Sequence, residues 1–235
     1  MNKILKSTAL LALLGFPLAV IGFRLGLFEF SVSALMIMAT VVLAVAVFFV
    51  GMTITFVKRR SNPALSKAAR TASYLVLIPI IAIGSQFFKG SSVPRIHNIS
   101  TDVVNPPEFG TFANARAATD NPLMYDPEKL AQVQQAAYPM VKTLITDLPA
   151  LEAHAKALEV ANSLGWEVVE SDPSSGFIGA TETSTLWGFK DDVVVRITEQ
   201  DGQRAVDLRS VSRIGQSDLG ANAKRIERFL SAFSE

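Results

Sequence analysis

The chain has 235 residues, of which 49% are hydrophobic and 18% are charged, a composition richer in apolar residues than that of an ordinary soluble domain. It contains no cysteine, which excludes thiolate catalysis, disulfide bonds and cysteine-ligated zinc. Its net charge of +1 conceals a basic part (residues 1–90) and an acidic part (residues 91–235), and the acidic part would repel phosphate groups, so we expect no nucleic-acid partner.

Three long apolar runs dominate the first part of the chain and predict three transmembrane helices. The runs cover about residues 4–23, 32–57 and 72–88, and a helix needs roughly 20 apolar residues to cross a bilayer. Pro79 is tolerable in the third run, since neighbouring helices can satisfy the carbonyl group that a proline leaves free. A competing interpretation makes the first run a signal peptide cleaved at residues 31–33, but that run ends too far upstream of the site.

Basic residues predict the orientation of these helices in the bilayer. The loop between the second and third runs contains five Lys and Arg residues and no acid, and two lysines precede the first run. Positively charged loops stay on the cytoplasmic side of the membrane. We therefore expect a cytoplasmic amino terminus and, after three crossings, an extracytoplasmic location for residues 91–235.

Residues 91–126 are rich in proline and lack a sustained apolar period, which is typical of an extended segment. We predict that they form a tether between the membrane helices and a soluble domain at residues 127–235. The two histidines, His97 and His154, are far apart in the sequence, and we interpret both as structural rather than as metal ligands.

The residues after the tether predict an α+β domain. Asp126 and the proline that follows it are typical of a helix start, and apolar stripes predict further helices at about residues 149–164 and 218–233. Four strands are predicted from alternating apolar residues, at about residues 166–170, 177–182, 191–200 and 203–213. We therefore expect a four-stranded antiparallel sheet covered by helices.

The dipeptide Asp201-Gly202 is typical of a two-residue type I′ turn and sets the register of the last two strands. This register places Arg196 directly opposite Asp207, where opposite charges stabilise a strand pair. It also places Arg209 diagonal to Asp192, which predicts an ion pair between them.

The last strands and the last helix carry a dense set of polar residues, which we treat as a candidate functional or structural cluster. The cluster consists of Asp191, Asp192, Arg209, Ser210, Ser212, Arg213, Asp218, Asn222 and Arg225. A hydrolase would use the two neighbouring aspartates as paired carboxylates, a serine as nucleophile and the arginines as anion clamps.

A structural interpretation explains the same residues without a substrate. Ser210 and Ser212 can satisfy backbone groups, the arginines can form ion pairs, and Asp218 or Ser217 can cap the last helix. Gly220 would let that helix approach the sheet closely. The stretch contains no histidine and no recurring metal-ligand spacing, so we expect a mainly structural cluster with no catalytic residue, metal or cofactor.

Four motifs in this part of the chain resemble the signature of the family known as domain of unknown function 1499. They are GFKDDVVVR (188–196), RSVSRIG (209–215), DLGAN (218–222) and RI (225–226). The resemblance covers about residues 121–233, and residues 96–109 are similar to membrane-anchored members. The family occurs in bacteria and photosynthetic organisms, and the resemblance implies no established activity. We expect a protein of a bacterial inner membrane. Many members carry a cysteine after Ser-Pro-Asn at the domain start, whereas this chain has Asp120-Asn121-Pro122 and no cysteine.

Three functions are compatible with the sequence. We expect first an interaction or assembly module of the cell envelope that binds a partner protein. The alternative is a domain that binds a small or lipid-like molecule in a cavity lined by Trp166, Phe177, Trp187 and Phe189. The third is the hydrolase described above.

The predicted orientation can be measured with a reporter that is active only in the cytoplasm. Fused after Glu235, it should be silent, because an odd number of crossings follows a cytoplasmic amino terminus. The same reporter inserted in the basic loop at residues 58–71 should be active. An active reporter after Glu235 would contradict the orientation.

Overall fold

The computed structural model describes residues 2–235, apart from the side chains of residues 2, 86, 87 and 89. The chain divides into two compact units, Met1–Lys89 and Gly90–Glu235. We call them the helical unit and the soluble unit and describe each by itself.

The helical unit consists of four successive helices. These are α1 (Asn2–Arg24), α2 (Phe30–Val57), α3 (Pro63–Leu75) and α4 (Leu77–Ser91). Three stretches are long and apolar enough to cross a membrane, namely Lys3–Arg24, Phe30–Val57 and Pro63–Ser85. The first two agree closely with the predicted spans, and the three together support a membrane anchor.

The third stretch starts earlier than the apolar run at residues 72–88 suggests. Its helix begins at Pro63, where the Asn62 side chain caps it by accepting a hydrogen bond from the Leu65 amide at 3.0 Å. The helix is interrupted at Val76, since Pro79 has no N–H group to donate to the carbonyl of Leu75.

Small residues let the helices of this unit approach each other closely. A Cβ atom at Gly15 in α1 would collide with the Thr40 hydroxyl of α2, and one at Gly51 in α2 would collide with Ser73 of α3. Close backbone approach at small residues is a usual way in which membrane helices pack.

The soluble unit combines an antiparallel sheet with three helices. Its strands are β1 (Asn98–Ser100), β2 (Leu144–Thr146), β3 (Glu167–Asp172), β4 (Phe177–Thr183), β5 (Lys190–Gln200) and β6 (Gln203–Ser212). Its helices are α5 (Pro127–Ala137), α6 (Ala150–Ser163) and α7 (Ala221–Ser234). The strand order is β1-β6-β5-β4-β3, and β2 also pairs with β6.

The sheet therefore has six strands, and the prediction of four is wrong. The two missed strands, β1 and β2, are three residues each and pair end to end along the outer edge of β6. Such short segments carry no visible alternation, so long-range pairing rather than local sequence defines them. Gln134 completes β1 by accepting from the Ser100 amide at 3.0 Å and donating to the Ser100 carbonyl at 2.7 Å.

The predicted register of the β5–β6 hairpin is confirmed. Arg196 lies opposite Asp207 in the sheet, and their side chains form an ion pair with a nitrogen–oxygen distance of 2.9 Å. Asp201 and Gly202 in the turn both have positive φ, at 52° and 81°, as a type I′ turn requires.

The two faces of the sheet are covered by different parts of the chain. Helices α6 and α7 cover one face, where Trp166 stacks on Phe229 with ring centroids 5.3 Å apart. Residues 101–125, which we call the covering segment, lie against the other face, where Phe112 takes the space beside Gly179. The covering segment belongs to the stretch that the sequence analysis assigns to a tether.

Two glycines in hairpins of the sheet provide a matched test of this fold. Gly176 and Gly202 both have positive φ, but a Cβ at Gly176 would also collide with the Ile197 carbonyl, whereas nothing lies near Gly202. We expect Gly202→Ala to cost about 1–2 kcal/mol of unfolding free energy from backbone strain, and Gly176→Ala to cost clearly more.

Tryptophan fluorescence during chemical unfolding of the full chain measures this difference, because both tryptophans, Trp166 and Trp187, belong to the soluble unit. Equal losses for the two variants would contradict the close contact at Gly176.

Candidate functional site

The sheet divides the polar cluster into two separate groups. Asp191 and Asp192 are consecutive residues of β5 and therefore point to opposite faces of the sheet. Asp191 contacts Arg225 of α7, on the helix-covered face. Asp192 contacts Arg116 of the covering segment, on the other face. The two carboxylates do not meet in one cleft, so the paired-carboxylate arrangement of a hydrolase is not formed.

Arg225 is the centre of the group on the helix-covered face. Its guanidinium donates to Asp191 at 2.6 Å and to the Ser210 hydroxyl at 2.9 Å, and it forms an ion pair with Glu182. Burial opposes the ionisation of Glu182, but Arg225 and Arg228 outweigh it and lower the pKa of this carboxyl group. Since Arg225 is itself buried, these carboxylates compensate its charge.

The two serines of the cluster are used by the fold. Ser210 donates its hydroxyl hydrogen to Asn222 at 2.6 Å while it accepts from Arg225. Ser212 accepts from the Asn222 amide at 2.9 Å. Both serines are buried, and neither has a hydrogen bond to a histidine that would activate it as a nucleophile.

Asp192 is the centre of the group on the other face. Arg213 donates to it from two nitrogens, the closer at 2.8 Å, and Thr181 donates its hydroxyl at 3.1 Å. Arg116 of the covering segment completes the set. The hydrogen bond with Asp192 raises the pKa of Arg213, which remains charged at any physiological pH.

The predicted ion pair between Arg209 and Asp192 is wrong. Arg213, the diagonal neighbour on the other side of Asp192, takes that position. Arg209 instead donates to the Asn98 side chain and the Pro107 carbonyl, each at 3.1 Å, and to the carbonyl of Leu123. Its guanidinium joins three parts of the chain that are distant in sequence.

Of the two residues predicted to cap α7, Asp218 binds its first turn, although the N-cap position itself is Gly220 and the helix begins at Ala221 rather than at about residue 218. Its carboxylate accepts from the amides of Gly220 and Asn222, both at 2.8 Å. Gly220 has a φ of 79° and lies beside Tyr138. This glycine is therefore required by its left-handed backbone and not, as expected, by close contact between α7 and the sheet.

Sequence reasoning missed two charged residues that complete these groups, Arg116 and Glu182, and a third, Asp102, that pairs with Arg196. Arg116 and Asp102 lie in the covering segment, where no periodic pattern indicates their neighbours. The only available signal was for Glu182, because strand alternation in β4 places it on the same face as Asp191, which is its cross-strand partner.

A cleft of about 650 Å³ opens between the covering segment and the sheet. We call it the segment-side cleft. Its lining is about equally polar and apolar, and its uncharged residues are Val104, Asn105, Pro106, Phe109, Leu123, Met124 and Tyr125. Arg196, Arg209 and Glu108 are its charged lining residues.

The two arginines of this cleft have different surroundings. Arg196 forms ion pairs with Asp102 at 3.0 Å and Asp207 at 2.9 Å, yet its Nε atom is buried without a hydrogen-bond partner. Arg209 is only 4% exposed, and no described carboxylate lies within ion-pair distance of it. Burial lowers the pKa of Arg209 to about 10, against the opposing influence of Tyr125 and Glu108.

A second cleft, of about 750 Å³, lies beside α7 and includes Glu182, Asp191 and Arg225. These three side chains are already paired with one another. The rest of the lining includes Lys224, Glu227 and Glu235.

The four aromatic residues predicted to line a cavity line neither of these clefts. Trp166 stacks on Phe229 in the core, and Trp187 stacks on Phe189 with ring centroids 5.5 Å apart. His154 is buried, with its Nε2 atom 3.2 Å from the Phe177 carbonyl. Within the described part of the chain, no group of three or more His, Asp or Glu residues is arranged to hold a metal ion.

Comparison with known protein families gives one match. The family described as "Protein of unknown function (DUF1499)" matches residues 98–233, more than half of the chain. The match begins before the covering segment, so it includes β1 and the lining of the segment-side cleft. No curated protein matches the chain.

Two substitutions of Asp218 test its role as the cap of α7. Asp218→Ala should lower the free energy of unfolding by about 0.5–2 kcal/mol, because the Asn222 amide of α7 and the Gly220 amide before it lose their acceptor. Asp218→Asn should retain most of the stability, since its amide oxygen can still accept. Chemical unfolding followed by tryptophan fluorescence measures both.

The pH dependence of stability in the same variants distinguishes the hydrogen bonds that Asp218 accepts from the effect of its ionisation. Burial raises the pKa of Asp218, so its folded-state pKa lies above the unfolded value. Its contribution to stability is then greatest at low pH and declines as the pH rises through the raised pKa. Asp218→Asn should lack this decline. A loss for Asp218→Asn as large as that for Asp218→Ala would contradict the cap.

Proposed function

We propose, on the premise that the chain belongs to the DUF1499 family of proteins of unknown function, that it is a membrane-anchored domain that binds a small molecule. The binding site of this proposal is the segment-side cleft. We further propose that the soluble unit lies outside the cytoplasm, in the periplasm of a bacterial cell envelope. The basic loop at residues 58–71 supports that orientation.

The observation that carries the proposal is the composition of the segment-side cleft. Small-molecule sites combine apolar side chains with a few polar groups that fix the ligand, and the volume of about 650 Å³ falls within their usual range. Here the polar groups are Arg196 and Arg209, and the first has a buried Nε atom without a partner. Charged groups of this kind, beside apolar side chains, fix the orientation of a bound molecule.

The contacts within the polar cluster support a binding function over a hydrolase. Asp191, Asp192 and the two serines are buried and hydrogen-bonded to other parts of the fold. A nucleophile needs an adjacent base and access to its substrate, and the cluster provides neither at Ser210 or Ser212.

A second candidate function is the interaction or assembly module of the cell envelope. It is favoured by three exposed apolar side chains that are close together in the sequence, Met140, Ile145 and Leu151. Exposed apolar side chains that form one patch often mark a binding surface for a protein. A crosslinker placed at Leu151 would capture such a partner, whereas the segment-side cleft would be unaffected.

The small-molecule proposal is tested with two matched tryptophan substitutions. Met124 is 79% exposed and lines the cleft, while Met140 is 65% exposed and lines neither cleft. We expect Met124→Trp to obstruct the cleft and Met140→Trp to leave it open. The full chain is purified from native membranes in a mild detergent, denatured, and the released small molecules are identified by mass spectrometry.

A molecule retained by the wild type and by Met140→Trp but lost from Met124→Trp is the expected result. The same set of molecules from all three proteins, or none from any of them, would contradict binding in the segment-side cleft.

A further inference from the structure

We propose that the ligand of the segment-side cleft is an amphiphilic anion, in which a carboxylate or phosphate group joined to an apolar body is bound by Arg209. This inference rests on the proposed function, since it names the chemical class of the molecule that the cleft binds.

The first argument is that Arg209 is buried without a direct ion pair, since Glu108 acts on it only from beyond ion-pair distance. Among the described residues, the other buried arginine of the cluster, Arg225, has carboxylate partners, whereas Arg209 donates to one amide and two carbonyl oxygens. Neutral acceptors satisfy hydrogen bonds but do not neutralise a buried cation, which is costly to leave without a counter-charge. An anion in the cleft would supply that counter-charge.

The second argument is the shape of the guanidinium environment. The Arg209 Cζ atom lies 5.1 Å from the centroid of the Phe109 ring and 5.7 Å from that of Tyr125. The two rings hold the guanidinium in a fixed orientation, and arginine binds carboxylate and phosphate groups through its planar fork of N–H donors. Arg196, whose Nε atom is buried without a partner, also lines this cleft.

The third argument is the apolar wall, which indicates that the anion has an apolar body. Val104 and Met124 are mostly exposed on this wall, and Pro106 and Leu123 extend it. Inorganic phosphate alone would leave these side chains in water, whereas an attached apolar body would cover them. Lipids of the bilayer and soluble organic acids both provide this chemistry.

Glu108, an acidic residue that lines the cleft, allows the proposed anion binding to be tested by charge removal. Glu108 is exposed, lines the cleft and has no described ion-pair partner. Its charge repels an anion bound at Arg209, so its removal should strengthen binding. Glu159 is an exposed acid of α6 that lines neither cleft, so Glu159→Gln changes the net charge equally without this local effect.

The experiment uses the full chain in nanodiscs of phosphatidylcholine and isothermal titration calorimetry. The probes are phenylacetate, its neutral isostere phenylacetamide, and inorganic phosphate. We expect phenylacetate to bind about tenfold to a hundredfold more tightly than phenylacetamide, the range of a charge-assisted hydrogen bond. It should also bind more tightly than inorganic phosphate.

Variants then locate the interaction. Glu108→Gln should tighten phenylacetate binding without changing phenylacetamide binding, and Glu159→Gln should change neither. Arg209→Lys should weaken phenylacetate binding. If Arg209→Lys does not fold, the Glu108→Gln measurement alone tests the proposal. Nanodiscs that contain phosphatidylglycerol identify the source of the ligand: competition with phenylacetate indicates a lipid headgroup, and its absence a soluble acid.

Equal affinities for phenylacetate and phenylacetamide would overturn the anionic ligand while leaving a small-molecule cleft in place. If Glu108→Gln and Glu159→Gln changed phenylacetate binding equally, the anion would not bind close to Glu108, and its proposed place beside Arg209 would be wrong. No binding of any probe, together with no molecule released from the native protein, would overturn the proposed function itself.

Discussion

A buried carboxylate requires a cationic partner, and β5 carries two buried carboxylates on consecutive residues. Strand geometry turns Asp191 and Asp192 to opposite faces of the sheet. Arg225 of α7 meets the first, and Arg116 of the covering segment, together with Arg213, meets the second. Removal of one member of such a pair leaves an uncompensated charge in the interior. The helix on one face and the segment on the other are thus both fixed to the same strand by charge.

This arrangement explains why the densest polar motif of the sequence is unsuited to chemistry. Its side chains are occupied by one another, and the sheet stands between its two groups. Arg209 differs because the fold gives it neutral acceptors and no described carboxylate within ion-pair distance, at the lining of an open cleft. An anionic ligand bound at Arg209 would supply the ion-pair partner that the fold does not.

Local sequence patterns predicted the parts of the fold that local interactions determine. Three apolar runs located the membrane helices, and the Asp201-Gly202 turn gave the complete β5–β6 register. Asp218 was recognised as the cap of α7 because capping depends on a few neighbouring residues.

The remaining features depend on contacts between distant residues, which a single sequence does not reveal. Strands β1 and β2 exist because β6 pairs with them, and Arg116 contacts Asp192 across 76 positions of the chain. The hydrogen-bond acceptors of Arg209 are also far from it in sequence, in β1 and the covering segment, so its contacts could not be predicted either. The segment-side cleft, bounded by both, could not be predicted from the sequence.

One spectroscopic titration tests most directly whether binding occurs at the segment-side cleft and not at the polar cluster. The full chain in phosphatidylcholine nanodiscs carries labelled methionine methyl groups and labelled tryptophan indoles, and phenylacetate is added. Met124 lines the cleft, whereas the Trp166 indole donates to Glu182 in the group around Arg225. Binding in the cleft predicts a shift of the Met124 methyl resonance with the Met140 methyl and the Trp166 indole unchanged. A shift of the Trp166 indole with Met124 unchanged would contradict it and place the ligand at the polar cluster.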